Sequence, residues 1–196
     1  MQQRLVLQRL LGVEQRLAHF ADADARLWSS TDVSSVGAKA GSKSGTRLLR
    51  QARQWLDRTP QSTIVSAQAD HSLTHAGQQA FALALRQSSY RGVGLDFEPW
   101  RPLDERHRRL MLSRREDALL GAASSRDLLR IWTVKEALFK ADRGGQQRWV
   151  IAYELDHPAR RSGTARVRAG GRVRRFRYIS IEVPGGMLSA AFALND

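Results

Sequence analysis

An acidic pattern on an apolar strand constrains this chain more than any other feature. In residues 92–98, apolar neighbours flank Asp96 and Glu98, which are two positions apart. Side chains two apart on a β-strand project from the same face, so these carboxylates lie together. Glu136 lies in the later helical run 132–141, and it is the predicted third carboxylate of this acidic group. Three carboxylates gathered in this way predict a site for a divalent cation.

The position of Glu136 is unusual for a carboxylate. It lies on the apolar stripe that Trp132 and Phe139 define at helical spacing. Burying an unpaired carboxylate costs several kcal/mol unless a cation or hydrogen-bond donors meet it. The alternative is that the two strand acids end at the surface and that Glu136 pairs with Lys140 one turn later.

The composition indicates a folded domain in a reducing compartment. Of the 196 residues, 42% are hydrophobic and 26% are charged, which is ordinary for globular proteins. The absence of cysteine removes disulfides and thiolate ligands, and it favours a cytoplasmic protein. Charged residues interrupt the leucines of the first twenty residues, which predicts an amphipathic helix rather than a signal peptide. No apolar run reaches the roughly 20 residues of a membrane span, so we expect no membrane partner.

The net charge of +13 predicts a polyanionic partner, which leaves several classes open. Nucleic acid, an anionic membrane, a phosphorylated cofactor and an acidic protein all fit. The alternative is that part of the excess charge is a compositional bias toward arginine. A nucleic-acid-binding protein would use a basic hairpin, whose arginines are Arg166, Arg168, Arg172, Arg174, Arg175 and Arg177. Only Phe176 and Tyr178 there could stack on bases, and no known nucleic-acid motif occurs. A Mg²⁺-dependent nuclease is a further alternative, because it also needs clustered carboxylates and lysine.

Periodicity and breaker residues predict an α+β protein. Helices are predicted over residues 47–56 and 104–112, and further helices begin at the capping residues Ser113 and Ser124. Strands are predicted over residues 62–67, 80–85, 92–97, 148–155, 164–168, 173–183 and 188–194. Residues 30–46 predict a loop, and residues 70–77 predict a connection between strands. We therefore expect two lobes of similar size, 1–93 and 94–196, each with a small, mainly antiparallel sheet packed by helices.

Four motifs in one order resemble the phosphopantetheinyl transferase superfamily. Residues 92–98 and 132–141 are similar to its signature pair in residue types, order and separation. Residues 72–77 resemble the Ser-His motif of the surfactin-type members, and residues 112–116 resemble the helix start between their acidic motifs. The resemblance covers residues 71–196 well and the first 70 weakly. It implies two lobes related by a pseudo-twofold axis, with the active site at their interface.

The resemblance implies an enzyme that transfers the phosphopantetheine arm of coenzyme A to a serine of a carrier protein. By carry-over, Asp96, Glu98 and Glu136 would bind Mg²⁺ against the pyrophosphate. Glu136, or a water oriented by Glu98, would take the serine proton. Lys140 and Lys135 would neutralise the pyrophosphate.

The remaining coenzyme A contacts are also implied by resemblance. Thr74 and His75 would contact the 3′-phosphate. Four basic residues lie where the family usually binds the adenylate end, in a loose match: Lys39, Lys43, Arg47 and Arg50. Their alternative role is that of solvated surface charges. The Gly-Lys-Pro element of many surfactin-type members is absent, since residues 59–62 take its place.

The implied partner is an acyl or peptidyl carrier protein, which would be acidic. A basic enzyme surface would raise the encounter rate with such a partner. The arginines next to the acidic motif are candidates for this docking face: Arg106, Arg108, Arg109, Arg114 and Arg115. Their alternative role is to solubilise the surface. A chain of this length resembles the two-lobed monomeric class, and no nucleic-acid partner is expected.

Overall fold

The fold combines helices with two antiparallel sheets, as the α+β prediction required. The computed structural model describes residues 2–21, 24–31, 48–54, 70–76, 79–86, 90–143 and 148–195. Its helices are α1 (Gln2–Ala21), α2 (48–54), α3 (Glu105–Met111), α4 (Arg114–Leu120) and α5 (Ser125–Ala141), with a 3₁₀ turn at Val150–Ala152. Within the described residues, no helix is long and apolar enough to cross a membrane.

The first sheet has three strands in the order β1-β3-β2, namely β1 (Asp24–Thr31), β2 (Asp70–Ala76) and β3 (Gln79–Arg86). Large and small side chains alternate along β3. Phe81, Leu83 and Leu85 enter the core shared with the second sheet, whereas the alanines between them face Leu48 and Ala52 of α2. The small face of the strand lets the helix approach closely, because side chains on a strand alternate between faces.

The second sheet has five strands in the order β4-β8-β7-β6-β5, all antiparallel. They are β4 (Tyr90–Pro99), β5 (Glu154–Leu155), β6 (Ser162–Ala169), β7 (Arg172–Val183) and β8 (Gly186–Leu194). One face packs against α5 through residues such as Phe176 and Tyr178, and the other packs against α1 and the first sheet. The sheet is therefore covered on both sides, and β4 forms one of its edges.

Two glycines let α5 lie directly on β4. A Cβ atom added to Gly94 would overlap the carbonyl oxygen of Ala137, and one added to Gly92 would overlap that of Ala141. Both obstacles are backbone atoms of α5, which cannot rotate away. The glycines of the acidic motif thus allow α5 to pack closely on β4. This close packing brings the α5 side chains to the acids of β4.

The predicted helix starts are confirmed. Ser113 and Ser124 cap α4 and α5, and the backbone N–H of each donates in return to the acid three residues later. The helix predicted over 104–112 is α3, with Asp104 as its N-cap. The predicted amphipathic helix in the first twenty residues is α1, and the predicted strands within 80–98 and 164–194 are present. The α+β class is therefore correct.

Other element predictions were wrong or lie outside the described residues. Residues 70–77, predicted as a connection, contain β2, and most of the strand predicted over 148–155 is a 3₁₀ turn followed by the short β5. No strand was predicted where β1 lies. The predicted strand 62–67 and most of the predicted loop 30–46 lie outside the described residues. The lobe boundary at 93/94 falls within β4, and the pseudo-twofold relation stays a prediction.

Candidate active site

The acids of β4 and their apolar neighbours face opposite sides of the sheet, as the alternation predicted. Leu95 and Phe97 are buried in the core on the α1 side. Asp96 and Glu98 meet side chains of α5 on the other side, through Lys140 and Trp132 respectively. The strand therefore separates a hydrophobic face, which contributes to stability, from an acidic face, which is available for chemistry.

Asp96 is buried, and its two oxygens differ in their surroundings. Its Oδ1 accepts hydrogen bonds from Lys140 Nζ at 2.7 Å and from Thr74 Oγ1 at 3.4 Å. Its Oδ2 is buried and has no hydrogen-bond partner within the described part of the chain. Burial raises the pKa of the Asp96 carboxyl, and the Lys140 charge opposes that shift. One oxygen is thus held by donors, and the other is left for a further cation or donor.

Glu98 is held at both oxygens. Trp132 Nε1 donates to Oε1 at 3.1 Å, and Arg101 Nε donates to Oε2 at 3.3 Å. Only 22% of the Glu98 side chain is exposed. Neither Trp132 nor Arg101 was given a role by sequence reasoning. The spacing of Arg101, three residues after Glu98, was a signal that could have suggested it.

Glu136 is half-buried on α5, one turn before Lys140. Burial is the largest cause that raises the pKa of its carboxyl, and the negative charges of Asp96 and Glu98 raise it further. Lys140 acts in the opposite direction. The negative charges of Asp96 and Glu98 therefore act on the Glu136 carboxyl.

Lys140 connects the helix to the strand. Besides Asp96, its Nζ contacts the carbonyl oxygen of Leu95 at 3.2 Å. The side chain is 32% exposed, so its ammonium group can be reached from solvent. A cation in this position neutralises part of the acidic group and can also meet an anionic substrate.

The comparisons with known proteins agree with this geometry. The family model of the 4′-phosphopantetheinyl transferase superfamily matches residues 92–193, which run from β4 to β8 and cover more than half of the chain. The chain belongs to this superfamily. A search of curated proteins found no match. Phosphopantetheinyl transferases use coenzyme A as substrate and transfer its phosphopantetheine arm, while the surfactin-type assignment of this one stays a prediction.

The acidic group of this phosphopantetheinyl transferase fits a hard divalent cation. Its donors are all carboxylate oxygens, which Mg²⁺ prefers, and Asp96 Oδ2 is buried without a partner. As the side chains stand, no three histidine or acidic groups among the described residues form a metal-binding cluster. Trp132 and Arg101 donate to the Glu98 oxygens, and Lys140 donates to Asp96 Oδ1. The carboxylate oxygens therefore suit Mg²⁺. To bind it, they would have to exchange their present hydrogen-bond partners for the ion.

The predicted role of Lys135 in phosphate binding needs correction. Lys135 Nζ lies 2.8 Å from Glu116 Oε2, and both side chains are 0% exposed. One residue along a helix turns the side chain by about 100°, so Lys135 enters the core while Glu136 is only half-buried. Lys135 is a buried partner of Glu116 and cannot meet a pyrophosphate.

The predicted phosphate contact of Thr74 also needs correction. Its side chain is buried, with its hydroxyl bonded to the N–H of Phe97 and to Asp96. His75, the next residue of β2, is exposed, so its predicted contact with the 3′-phosphate stays a prediction. The remaining predicted nucleotide residues Lys39, Lys43 and Arg47 lie outside the described residues, and Arg50 is exposed on α2.

Proposed function

We propose that this transferase converts an apo carrier protein to its holo form in a Mg²⁺-dependent reaction. It would transfer phosphopantetheine from coenzyme A to a serine of an acyl or peptidyl carrier. The observation that supports the proposal is the ion pair between Lys140 and the buried Asp96, two residues from Glu98, within the segment that matches the superfamily. The charges of Asp96 and Glu98 also act on Glu136. Clustered carboxylates and a reachable lysine are what a diphosphate substrate with a divalent cation requires.

The reaction breaks a phosphoanhydride bond of coenzyme A and forms a phosphate ester bond to the carrier. The serine oxygen of the carrier forms a bond to the phosphorus that bears pantetheine, and the bond from that phosphorus to the bridging oxygen breaks. Adenosine 3′,5′-bisphosphate leaves with the bridging oxygen, and the serine proton goes to a base. Charge on the transferring and leaving oxygens limits such a step, so positioned cations supply most of the catalysis.

Glu136 is the proposed base. Its carboxyl has a pKa raised by burial and by the neighbouring acids, which brings its basicity closer to neutral pH. A water oriented by Glu98 is the alternative route for the proton. Lys140 would offer its charge to the pyrophosphate, because its side chain is partly exposed and lies beside Asp96. Mg²⁺ held by the three carboxylates would supply further charge stabilisation of the phosphate oxygens.

The proposed carrier docks beside the acidic motif, on α3 and α4. Among the arginines there, Arg108 is bonded to Asp117 and to the carbonyl of Gly121, and Arg115 contacts the carbonyl of Leu155. Arg106 and Arg114 are exposed and form no ion pair within the described residues. These two have unsatisfied charge to offer an acidic partner.

The basic hairpin supports the nucleic-acid alternative less well than the sequence suggested. Arg166 pairs with Glu154, Arg174 pairs with the buried Asp142, and Arg177 lies over the ring of Phe20. Half of the six arginines are thus engaged within the protein, which reduces the surface available for phosphates.

A transfer assay tests the proposal. The protein is incubated with Mg²⁺, a fluorescent coenzyme A and apo carriers of the fatty-acid, polyketide and peptide classes, and label on each carrier is measured. We expect label with the wild type and with the matched control Glu182→Gln, an exposed acid on β7. Glu136→Gln and addition of EDTA should abolish it. Failure with all three carrier classes, together with cleavage of DNA, would refute the proposal.

A further inference from the structure

Two sheet edges meet at the acidic strand without pairing through their backbones. β4 is an edge strand of the five-stranded sheet, and β2 is an edge strand of the three-stranded sheet. An edge strand presents unpaired N–H groups, which must find acceptors when they are buried. Here side chains of β2 provide the acceptors that a neighbouring strand would otherwise supply.

Ser72 and Thr74 are these acceptors. The N–H of Leu95 donates to Ser72 Oγ at 2.8 Å, and the N–H of Phe97 donates to Thr74 Oγ1 at 3.1 Å. Both side chains are buried, with 9% and 3% exposure. The two contacts advance by two residues on each strand, so they hold β2 and β4 in one register along the acidic motif.

Thr74 differs from Ser72 in one respect. Its hydroxyl also donates to Asp96 Oδ1, at 3.4 Å, while accepting from Phe97. Together with Lys140, it occupies Oδ1, while the buried Oδ2 has no partner among the residues that the structure describes. The orientation of the Asp96 carboxylate is therefore set from the first sheet as well as from α5.

We propose that Thr74 is a positioning residue, whose hydroxyl orients Asp96 so that Oδ2 is presented to a divalent cation. This inference rests on the proposed function for the identity of the cation site. It assigns β2 a part in metal affinity and replaces the phosphate contact that the sequence predicted for Thr74. Partners that orient a metal ligand commonly change metal affinity by about 10- to 100-fold when removed.

Ser72 provides a matched control for the structural part of the role. Thr74→Val removes the hydroxyl with little change of shape, and Thr74→Ser retains it. Ser72→Ala removes the equivalent acceptor for a β4 N–H but leaves Asp96 untouched. Thr74→Val and Ser72→Ala should lower the denaturation midpoint by similar amounts, whereas only Thr74→Val should weaken cation binding.

The test is a titration of each variant with Mn²⁺ alone, with free Mn²⁺ followed by electron paramagnetic resonance. We expect about a tenfold weaker Kd for Thr74→Val, recovery of most of the affinity in Thr74→Ser, and a change below about twofold in Ser72→Ala. Equal affinity in Thr74→Val and wild type, or equal losses in Thr74→Val and Ser72→Ala, would overturn the positioning role. Absence of Mn²⁺ binding in the wild type would overturn both this inference and the metal site. Wild-type binding without carrier labelling would refute the proposed transfer alone.

Discussion

Replacing Lys135 by methionine tests whether this lysine stabilises the fold or binds phosphate. In the structure, Lys135 Nζ donates to Glu116 Oε2 at 2.8 Å, with both side chains at 0% exposure. Burial lowers the pKa of Lys135, and the charge of Glu116 opposes that shift. Methionine retains most of the aliphatic stem, so the substitution removes the charge while leaving little cavity.

The expected cost follows from the partners that Glu116 retains. Removing one member of a buried ion pair typically costs about 3–5 kcal/mol, because the other charge is left uncompensated. Glu116 keeps hydrogen bonds from the N–H groups of Ser113 and Leu155, so we expect the lower end, about 3 kcal/mol. For a protein of this size, that corresponds to a decrease in Tm of roughly 6–12 °C.

Guanidinium chloride unfolding and a thermal scan measure the loss of stability. Lys140→Met is the comparison on the same helix, because its partner Asp96 is buried but Lys140 itself is partly exposed. The substitution leaves the Asp96 carboxylate without its cation, so we expect a loss of about 1–3 kcal/mol. We expect the Lys140 variant to lose transfer activity with the smaller loss of stability, and the Lys135 variant to show the larger loss of stability. A Lys135→Met protein as stable as the wild type, with a raised KM for coenzyme A, would refute this reasoning.

Three further predictions concern the site and the strand beneath it. Glu136→Gln should raise the metal-free unfolding free energy at pH 7 by about 0.5–2 kcal/mol, because a strained acidic site is relieved. The folded protein raises the pKa of Glu136, so this gain in stability should vanish as the pH falls below the ordinary pKa of 4.5. Thermal scans that show no gain in stability at pH 7 would contradict this prediction. Gly94→Ala should lower the free energy of unfolding by about 3 kcal/mol, because the added Cβ would overlap the backbone of α5. Chemical denaturation measures this loss, and a variant with the wild-type midpoint would exclude such close packing. Arg101→Gln should tighten Mn²⁺ binding, because it frees Glu98 Oε2 from a competing cation; unchanged or weaker binding would show that Arg101 does not compete.

Local features of this chain were predictable because they depend on near neighbours. The alternation that places Asp96 and Glu98 on one face follows from strand geometry alone, and β4 has it. The starts of α4 and α5 follow from Ser113 and Ser124, whose capping partners are three residues away. The prediction of a connection over residues 70–77 was wrong. The segment has few β-branched and apolar residues, and its strand conformation depends on tertiary pairing with β3.

The sequence by itself determined which side chains share a face and which segments carry the acids, since a strand or helix has a fixed period. Only the tertiary structure decided that Lys135 is buried while the charges of the β4 acids act on its neighbour Glu136. It also decided that Thr74 contacts Asp96 rather than solvent. The physical reason is that partners far apart in the chain meet only when sheets and helices pack. Burial and pairing, rather than residue type, then determine what a charged group or a hydroxyl can do.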